Sequence, residues 1–278
     1  MNIISICPSN TELLAYLGLT KSLIGVDDYS DWPKEIHDLP RLGPDLNINM
    51  DRVESLKPDL VLASLTVPGM EKNIEKLKER HIPYKIVPNP TTFEEIGNQL
   101  KLIGKWTNHE EKANKIHEKY LRILERYRKL SKQVKEVRSI YWEWWPKPVF
   151  TPGKGNWLTE MSELAGAKNA FTDYQEANVQ TNWDDVKQRD PDVISLVWVG
   201  VQQNKVKPSV VMKRPGWSEM NAIKNNQLYV LEEPFFCRPS PRLIIGLKKI
   251  AHILHPDIYP PFHEKEKDPL IDRHVNHT

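Results

Sequence analysis

The sequence predicts an α/β protein of two Rossmann-like lobes joined by one long backbone helix, with a ligand cleft between the lobes. Three observations lead there. Residues 51–61 and 184–194 share one local pattern, in which an aspartate stands seven positions before a Pro-Asp pair, a short helix lies between, and an apolar strand follows. Asp51 leads to Pro58-Asp59 in the first copy, and Asp184 to Pro191-Asp192 in the second. Upstream of each copy a glutamate precedes a glycine by six positions, Glu12 before Gly18 and Glu160 before Gly166. Between the copies, residues 107–134 contain neither glycine nor proline.

Each element follows from local pattern. In residues 1–105, short apolar runs at 3–6, 23–26, 60–63 and 84–87 read as strands. Helical stretches at 11–17, 51–56, 70–80 and 93–103 alternate with them, which argues for a parallel, doubly wound sheet. The Pro58 and Pro191 steps stop one helix each, because the residue before a proline avoids the right-handed helical region. Residues 106–135 form the connecting helix: Thr107 with Glu110 has capping-box spacing, and Ile116, Tyr120, Ile123, Tyr127, Leu130 and Val134 make one apolar stripe. At 1.5 Å per residue this is a rod of roughly 40 Å. A coiled-coil seam would read the same way, but the position between two half-repeats favours a spacer. Residues 136–256 form the second lobe, with strands at 139–145, 193–199 and 228–231 and helices at 157–165, 184–188, 217–224 and 240–254. Residues 257–278, rich in proline, histidine and charge, read as an irregular tail.

Composition narrows the function classes. A chain of 278 residues with 39% apolar and 27% charged residues is that of an ordinary two-domain globular protein. The net charge of +2, without a basic stripe, argues against nucleic acid as a partner. The apolar run at 193–199 is far shorter than the ~20 residues that span a bilayer. Residue 1 leads straight into a strand, without a basic and apolar leader, and Cys7 and Cys237 make no disulfide framework. As written, the sequence reads as cytoplasmic; the alternative is an extracytoplasmic protein whose export signal has been removed. A monomer is expected.

No assembled catalytic constellation is visible, and the chain is not expected to be an enzyme. It contains no Gly-x-Gly-x-x-Gly, no Gly-x-Ser-x-Gly and no Cys-x-x-Cys or His-Glu-x-x-His. Pro152-Gly153-Lys154-Gly155-Asn156 reads as a tight entry into the helix at Trp157 rather than a phosphate loop. His252 and His255 share a late helix face and His263, His274 and His277 lie in the tail, so no metal site is expected.

Two segments point to ligand binding. Tyr141-Trp142-Glu143-Trp144-Trp145 concentrates indole at the carboxyl end of a strand, where open α/β sheets bind ligands. As a strand it would turn Trp142 and Trp144 to one face and Tyr141, Glu143 and Trp145 to the other. A packed core strand end is the plain alternative. In residues 233–242, prolines hold Arg238 beside Phe235 and Phe236, suiting a guanidinium clamp on amide or phosphate groups, while Arg242 reads as structural.

The chain resembles the class III substrate-binding proteins, the helical-backbone metal receptors. Within them it is most similar to the cobalamin-binding proteins of vitamin B12 importers. The matching stretches are 7–13, 26–33, 56–61, 150–154 and 240–244. The resemblance implies two lobes on one long helix, a ligand held between them against aromatics, and only a modest hinge. It also implies roles: Tyr29 packs on the corrin, Trp144 stands for a phenylalanine of the site, and Arg238 is a polar clamp. Asp51 and Asp184 fall where the family docks on arginines of a membrane permease, with aspartate where glutamate is usual. Asp45 and Ser64 stand where the B12-binding relative has tryptophans, and Pro234 replaces an acid near the clamp. Trp142, Trp145 and Trp198 are expected to rebuild the aromatic wall. The expected ligand set is therefore Tyr29, Ser64, Trp142, Trp144, Phe150, Trp198, Phe236 and Arg238.

These readings converge on non-enzymatic binding of a corrinoid, cobalamin or cobinamide, as the receptor of an ABC importer or an intracellular relative. The corrinoid is cargo, and no other cofactor is expected. A haem or iron-siderophore binder is the alternative within the class, with Tyr29 the candidate haem ligand. A two-lobe nucleotide-sugar-type enzyme is the alternative outside it.

Overall fold

In the computed structural model, which describes residues 1–263 and 268–271, the chain divides into two compact α/β units. The first comprises Met1–Pro90 and Glu94–Leu121, with 269–271 from the chain end; the second comprises Thr91–Phe93 and Arg122–Asp268.

The first unit is built on β1 (Ile3–Ser5), β2 (Leu23–Val26), β3 (Leu60–Ser64) and β4 (Tyr84–Val87), all parallel, in the order β2-β1-β3-β4. The chain steps from β1 outward to β2, then crosses back to β3, so the strand order reverses between β1 and β3. That reversal marks where a doubly wound sheet opens a crevice at its carboxyl edge. The first helix, α1 (Pro8–Tyr16), starts three residues earlier than its periodicity suggests, because Pro8 is pre-set for the first helical turn. Seven of its nine residues are buried, so it carries no polar face to mark its beginning. The others are α2 (Met50–Ser55), α3 (Glu71–Glu79), α4 (Phe93–Thr107) and α5 (Glu110–Ser131). Ile4, Ile6, Leu42, Val53, Val61, Ala63 and Leu77 fill the core between sheet and helices.

The expected capping box does not form. Thr107 ends α4, its hydroxyl donating to the Ile103 carbonyl at 2.8 Å, and Asn108 takes a left-handed turn (φ 59°) before α5 begins at Glu110. The long helix is thus shorter than its Gly- and Pro-free run. Its buried residues are Ala113, Ile116, Tyr120, Leu124 and Tyr127, with Leu124 in place of the expected Ile123. The division between units falls inside α5, after Leu121.

The second unit contains β5 (Arg138–Glu143), β6 (Trp145–Pro146), β7 (Val149–Pro152), α6 (Trp157–Leu164), β8 (Ala167–Asn169), β9 (Asn178–Thr181), α7 (Trp183–Arg189), β10 (Val193–Leu196), α8 (Pro208–Met212), α9 (Asn221–Lys224), β11 (Leu228–Val230) and α10 (Leu243–Leu254). Its parallel sheet runs β11-β10-β5-β8, and β6-β7-β9 form a small antiparallel sheet. The aromatic segment is therefore not one strand. β5 ends at Glu143, and Trp145 pairs with Phe150 in a hairpin of the second sheet. Alternation of faces stops at that corner. Likewise β10 ends at Leu196 rather than at 199, and 217–224 splits into a short 3-10 turn and α9. His274 and His277 lie outside the described residues.

The repeated pattern is a structural device. Asn49 caps α2 and Asn182 caps α7; Lys57 (φ 49°) and Asp190 (φ 39°) end those helices in the left-handed region just before Pro58 and Pro191. The following aspartates then anchor the first strand of each sheet. Asp59 accepts from the Asn2 amide at 2.6 Å, and Asp192 accepts from the Ser139 amide at 2.7 Å and its hydroxyl at 2.8 Å. Gly18 (φ 69°) and Gly166 (φ 73°) follow the ends of α1 and α6, where a left-handed residue is needed.

Candidate functional site

In the first unit a buried polar network sits at the carboxyl edge of the sheet. Asp27, directly after β2, is fully buried and accepts from the amides of Tyr29 (2.9 Å) and Ser30 (3.0 Å) and from the Ser30 hydroxyl. Thr11 on α1 joins this to Ser5 and Ser30, each at 2.8 Å. Arg41 donates to the Asp27 carbonyl at 3.1 Å and to that of Ser30. Burial raises the Asp27 carboxyl to about 6. The network folds the loop so that Tyr29 is 53% exposed, placing a large aromatic in solvent.

Ser64 closes β3 and is buried, its hydroxyl donating to Asn10 Oδ1 at 3.2 Å. Asp45 is half-buried and its carboxyl is also raised by burial. Cys7 is buried against Ser9, 3.2 Å from sulfur to hydroxyl, and burial pushes its thiol up, so it is no ready nucleophile.

In the second unit the candidate residues lie next to a buried charge pair that sequence reasoning did not single out. Glu143, the last residue of β5, is fully buried and forms a two-point ion pair with Arg214, whose side chain is 2% exposed. Both remaining directions on the carboxylate are used: the Tyr141 hydroxyl donates at 2.9 Å and the Trp198 indole at 3.0 Å. Burial, then the Glu143 charge, holds the Tyr141 phenol well above its ordinary value. The Arg214 guanidinium lies over Trp217 (4.4 Å) and Trp183 (4.9 Å). One signal was available, a charged residue inside an aromatic strand run; its partner 71 positions away had none.

The expected aromatic wall separates into layers. Trp142 and Phe236 are fully buried, with rings 5.6 Å apart, and Trp142 donates to the Ser162 hydroxyl at 2.9 Å. These two belong to the core and present no surface to a ligand. Trp144, Phe150 and Trp198 are half-buried. Trp145, expected to help rebuild the wall, is 42% exposed in the hairpin with its indole donating to the Lys147 carbonyl. Trp144 packs on Trp157 at 5.9 Å, and Trp157 was not among the expected residues.

Arg238 is ion-paired with Glu233 at 3.0 Å, so the acid missing at Pro234 comes from the preceding residue. Arg242 lies over the Phe235 ring at 4.8 Å, a packing role. Cys237 donates to the Val197 carbonyl at 3.2 Å, and burial raises its thiol strongly. His255 contacts the Gly166 carbonyl at 3.0 Å. Among the described residues no cluster of three His, Cys, Asp or Glu could hold a metal, and no helix is long and apolar enough to cross a membrane.

The two docking candidates are surface residues in first helical turns. The Asp51 side chain is 84% exposed and pairs with Arg80 at 2.6 Å; that of Asp184 is 78% exposed and lies 3.5 Å from Lys187.

Comparison with known proteins agrees with this architecture. Residues 3–234 match the periplasmic binding protein family. A Bacillus subtilis protein described as an uncharacterized ABC transporter substrate-binding lipoprotein, YvrC, is 33% identical over 92% of this chain and 81% of its own length. A vitamin B12-binding protein of Vibrio cholerae is 26% identical over 91% of this chain and 88% of its own. The crystal structure of a Staphylococcus epidermidis periplasmic solute-binding protein, described as a possible iron-binding protein, superimposes with a TM-score of 0.79 at 26% identity, covering 91% of this chain and 98% of that one. The first and third of these relatives are described as a lipoprotein and as periplasmic, which favours the extracytoplasmic alternative over the cytoplasmic reading. The chain belongs to the periplasmic binding protein family, among the substrate-binding proteins of ABC transporters.

Proposed function

We propose that this protein is the extracytoplasmic receptor of an ABC importer and that its ligand is a corrinoid. The observation that carries the ligand class is the character of the second unit's half-buried aromatic face. Trp144, Phe150 and Trp198 are large aromatics left half-buried in this unit, and its Arg238 is already neutralised by Glu233. A face of this kind suits a large, flat, amide-rimmed ligand of little net charge, and suits a polyanionic ferric chelate poorly. Arg238 would donate to a rim amide; in the first unit, exposed Tyr29 offers an aromatic ring of the same stacking character, while Ser64 is buried with its hydroxyl on Asn10. The ligand is bound and released without covalent chemistry.

The test is a visible-absorbance titration with cyanocobalamin and dicyanocobinamide. Failure of both to bind at micromolar concentration sinks the corrinoid reading. Trp144→Ala should weaken binding by about 1–3 kcal/mol; unchanged affinity removes that residue from the site. One observation favours haem as a second reading, the exposed Tyr29 phenol on its braced loop. A tyrosinate-iron absorption band on adding haem, abolished in Tyr29→Phe, would select it.

Asp51 and Asp184 are proposed as the permease-docking residues of the two units. Their high exposure and matching places in the repeat support this.

A further inference from the structure

The second unit holds seven tryptophans, and among the described residues six of their indole N–H groups have a hydrogen-bond partner. The seventh, Trp144, has none, although its Nε1 is buried. An indole N–H withdrawn from water normally finds an acceptor. The exception sits directly after the carboxyl end of β5, and its ring is packed at 5.9 Å and 38° against Trp157.

Trp157 opens α6, and its orientation is set from two sides. Asn156 caps the helix by accepting from the Leu158 amide at 2.9 Å, and the Trp157 indole donates to the Phe236 carbonyl at 2.8 Å. Trp142 and Phe236 form a fully buried layer, while Trp144 and Trp157 are both half-buried. A helix start does not call for indole at its first position, where small capping residues or proline serve. Two large rings packed on each other, both part-exposed and one held by its indole N–H, leave aromatic surface within reach of solvent.

We propose that Trp157 is a ligand-contacting residue, forming with Trp144 a two-indole surface for a planar conjugated ligand that carries a hydrogen-bond acceptor at its rim. This rests on the binding function proposed above and adds to it a residue to which neither the family resemblance nor the sequence pattern assigned a ligand role. Trp157 replaces buried Trp142 as the second indole of the site.

The test compares wild type, Trp157→Phe, Trp157→Leu and Trp157→Ala for cyanocobalamin, dicyanocobinamide and haem. Binding is read by visible absorbance and by quenching of tryptophan emission, with a thermal melt of each variant alongside. The leucine variant keeps most of the buried volume should the alanine variant fold poorly. The expected result is affinity lost by about tenfold or more in the leucine and alanine variants and kept within about threefold in the phenylalanine variant. A structural role alone would lower the melting temperature without this aromatic rescue. If wild type binds a probe and the leucine variant binds it equally well, the inference is overturned and the binding function stands. If wild type binds haem alone, the corrinoid reading falls and the same comparison, made with haem, decides Trp157. If wild type binds none of the three, the proposed function fails and this inference fails with it.

Discussion

The Glu143 carboxylate and the Arg214 guanidinium face each other with both members buried, and the same carboxylate fixes the Trp198 indole and the Tyr141 hydroxyl. A pair withdrawn from water is weak evidence for stability, since desolvation offsets much of the attraction. Removing one partner is different, because the other charge then remains buried alone. Arg214→Met is expected to destabilise the protein by about 3–5 kcal/mol. Urea denaturation monitored by tryptophan fluorescence measures this, and a loss below 1 kcal/mol would show that water reaches the carboxylate. Glu143→Leu, which removes both acceptor oxygens, should also free the Trp198 ring, and weaken ligand binding more than its effect on the melting temperature alone accounts for.

Asp27 gives a pH dependence with a defined sign. Burial raises its carboxyl from 3.8 to about 6, so between those values the folded protein holds a proton that the unfolded chain has lost. Stability from this group therefore increases as pH falls through 6 and levels off below 3.8. Ionised Asp27 at neutral pH costs on the order of 2–3 kcal/mol relative to its protonated form. Asp45, also raised by burial, acts in the same direction, so the informative quantity is a difference. Asp27→Asn should remove part of the gain in melting temperature between pH 7.5 and pH 5 (roughly the flanks of this titration). Parallel curves for wild type and variant would assign the effect to other groups.

Gly153 has no room for a side chain. A methyl group there would lie 2.2 Å from the Glu176 carbonyl oxygen and 3.0 Å from that of Tyr174, both backbone atoms. Gly153→Ala should destabilise by about 1–3 kcal/mol, as overpacking does elsewhere. It should also disturb the turn that leads into Trp157. A melting temperature equal to that of wild type would mean that the 174–177 segment moves aside.

The repeat allows docking and helix support to be separated. Asn49 and Asn182, not the following aspartates, cap α2 and α7. Asp51→Ala and Asp184→Ala should each change stability by no more than about 0.5 kcal/mol, as exposed substitutions do. Ligand affinity should be unchanged while transport through a reconstituted cognate permease falls. Destabilisation well above that figure, with transport intact, would return both residues to a helix-dipole role.

The sequence by itself determined the features that depend on near neighbours. Pro58 and Pro191 stop helices and launch strands by local sterics, and helix and strand periodicities repeat within each half. The two-unit α/β architecture was legible for that reason. Local reasoning erred where one context overrode another. Thr107 and Glu110 have capping spacing, yet the preceding helix claims Thr107. Tyr141 to Trp145 alternate like one strand, yet the hairpin closing Trp145 on Phe150 turns the chain at Trp144. Which indoles remain reachable at the surface was decided only by tertiary packing. Trp142 lies in the core while Trp157 lies half-exposed, because Ser162 and Phe236 take one indole inside and the Phe236 carbonyl holds the other at its edge. Glu143 meets Arg214 across 71 residues, and Asp59 meets Asn2 across 57. Burial and long-range pairing depend on which segments pack together in three dimensions, and no local spacing of residue types contains that information.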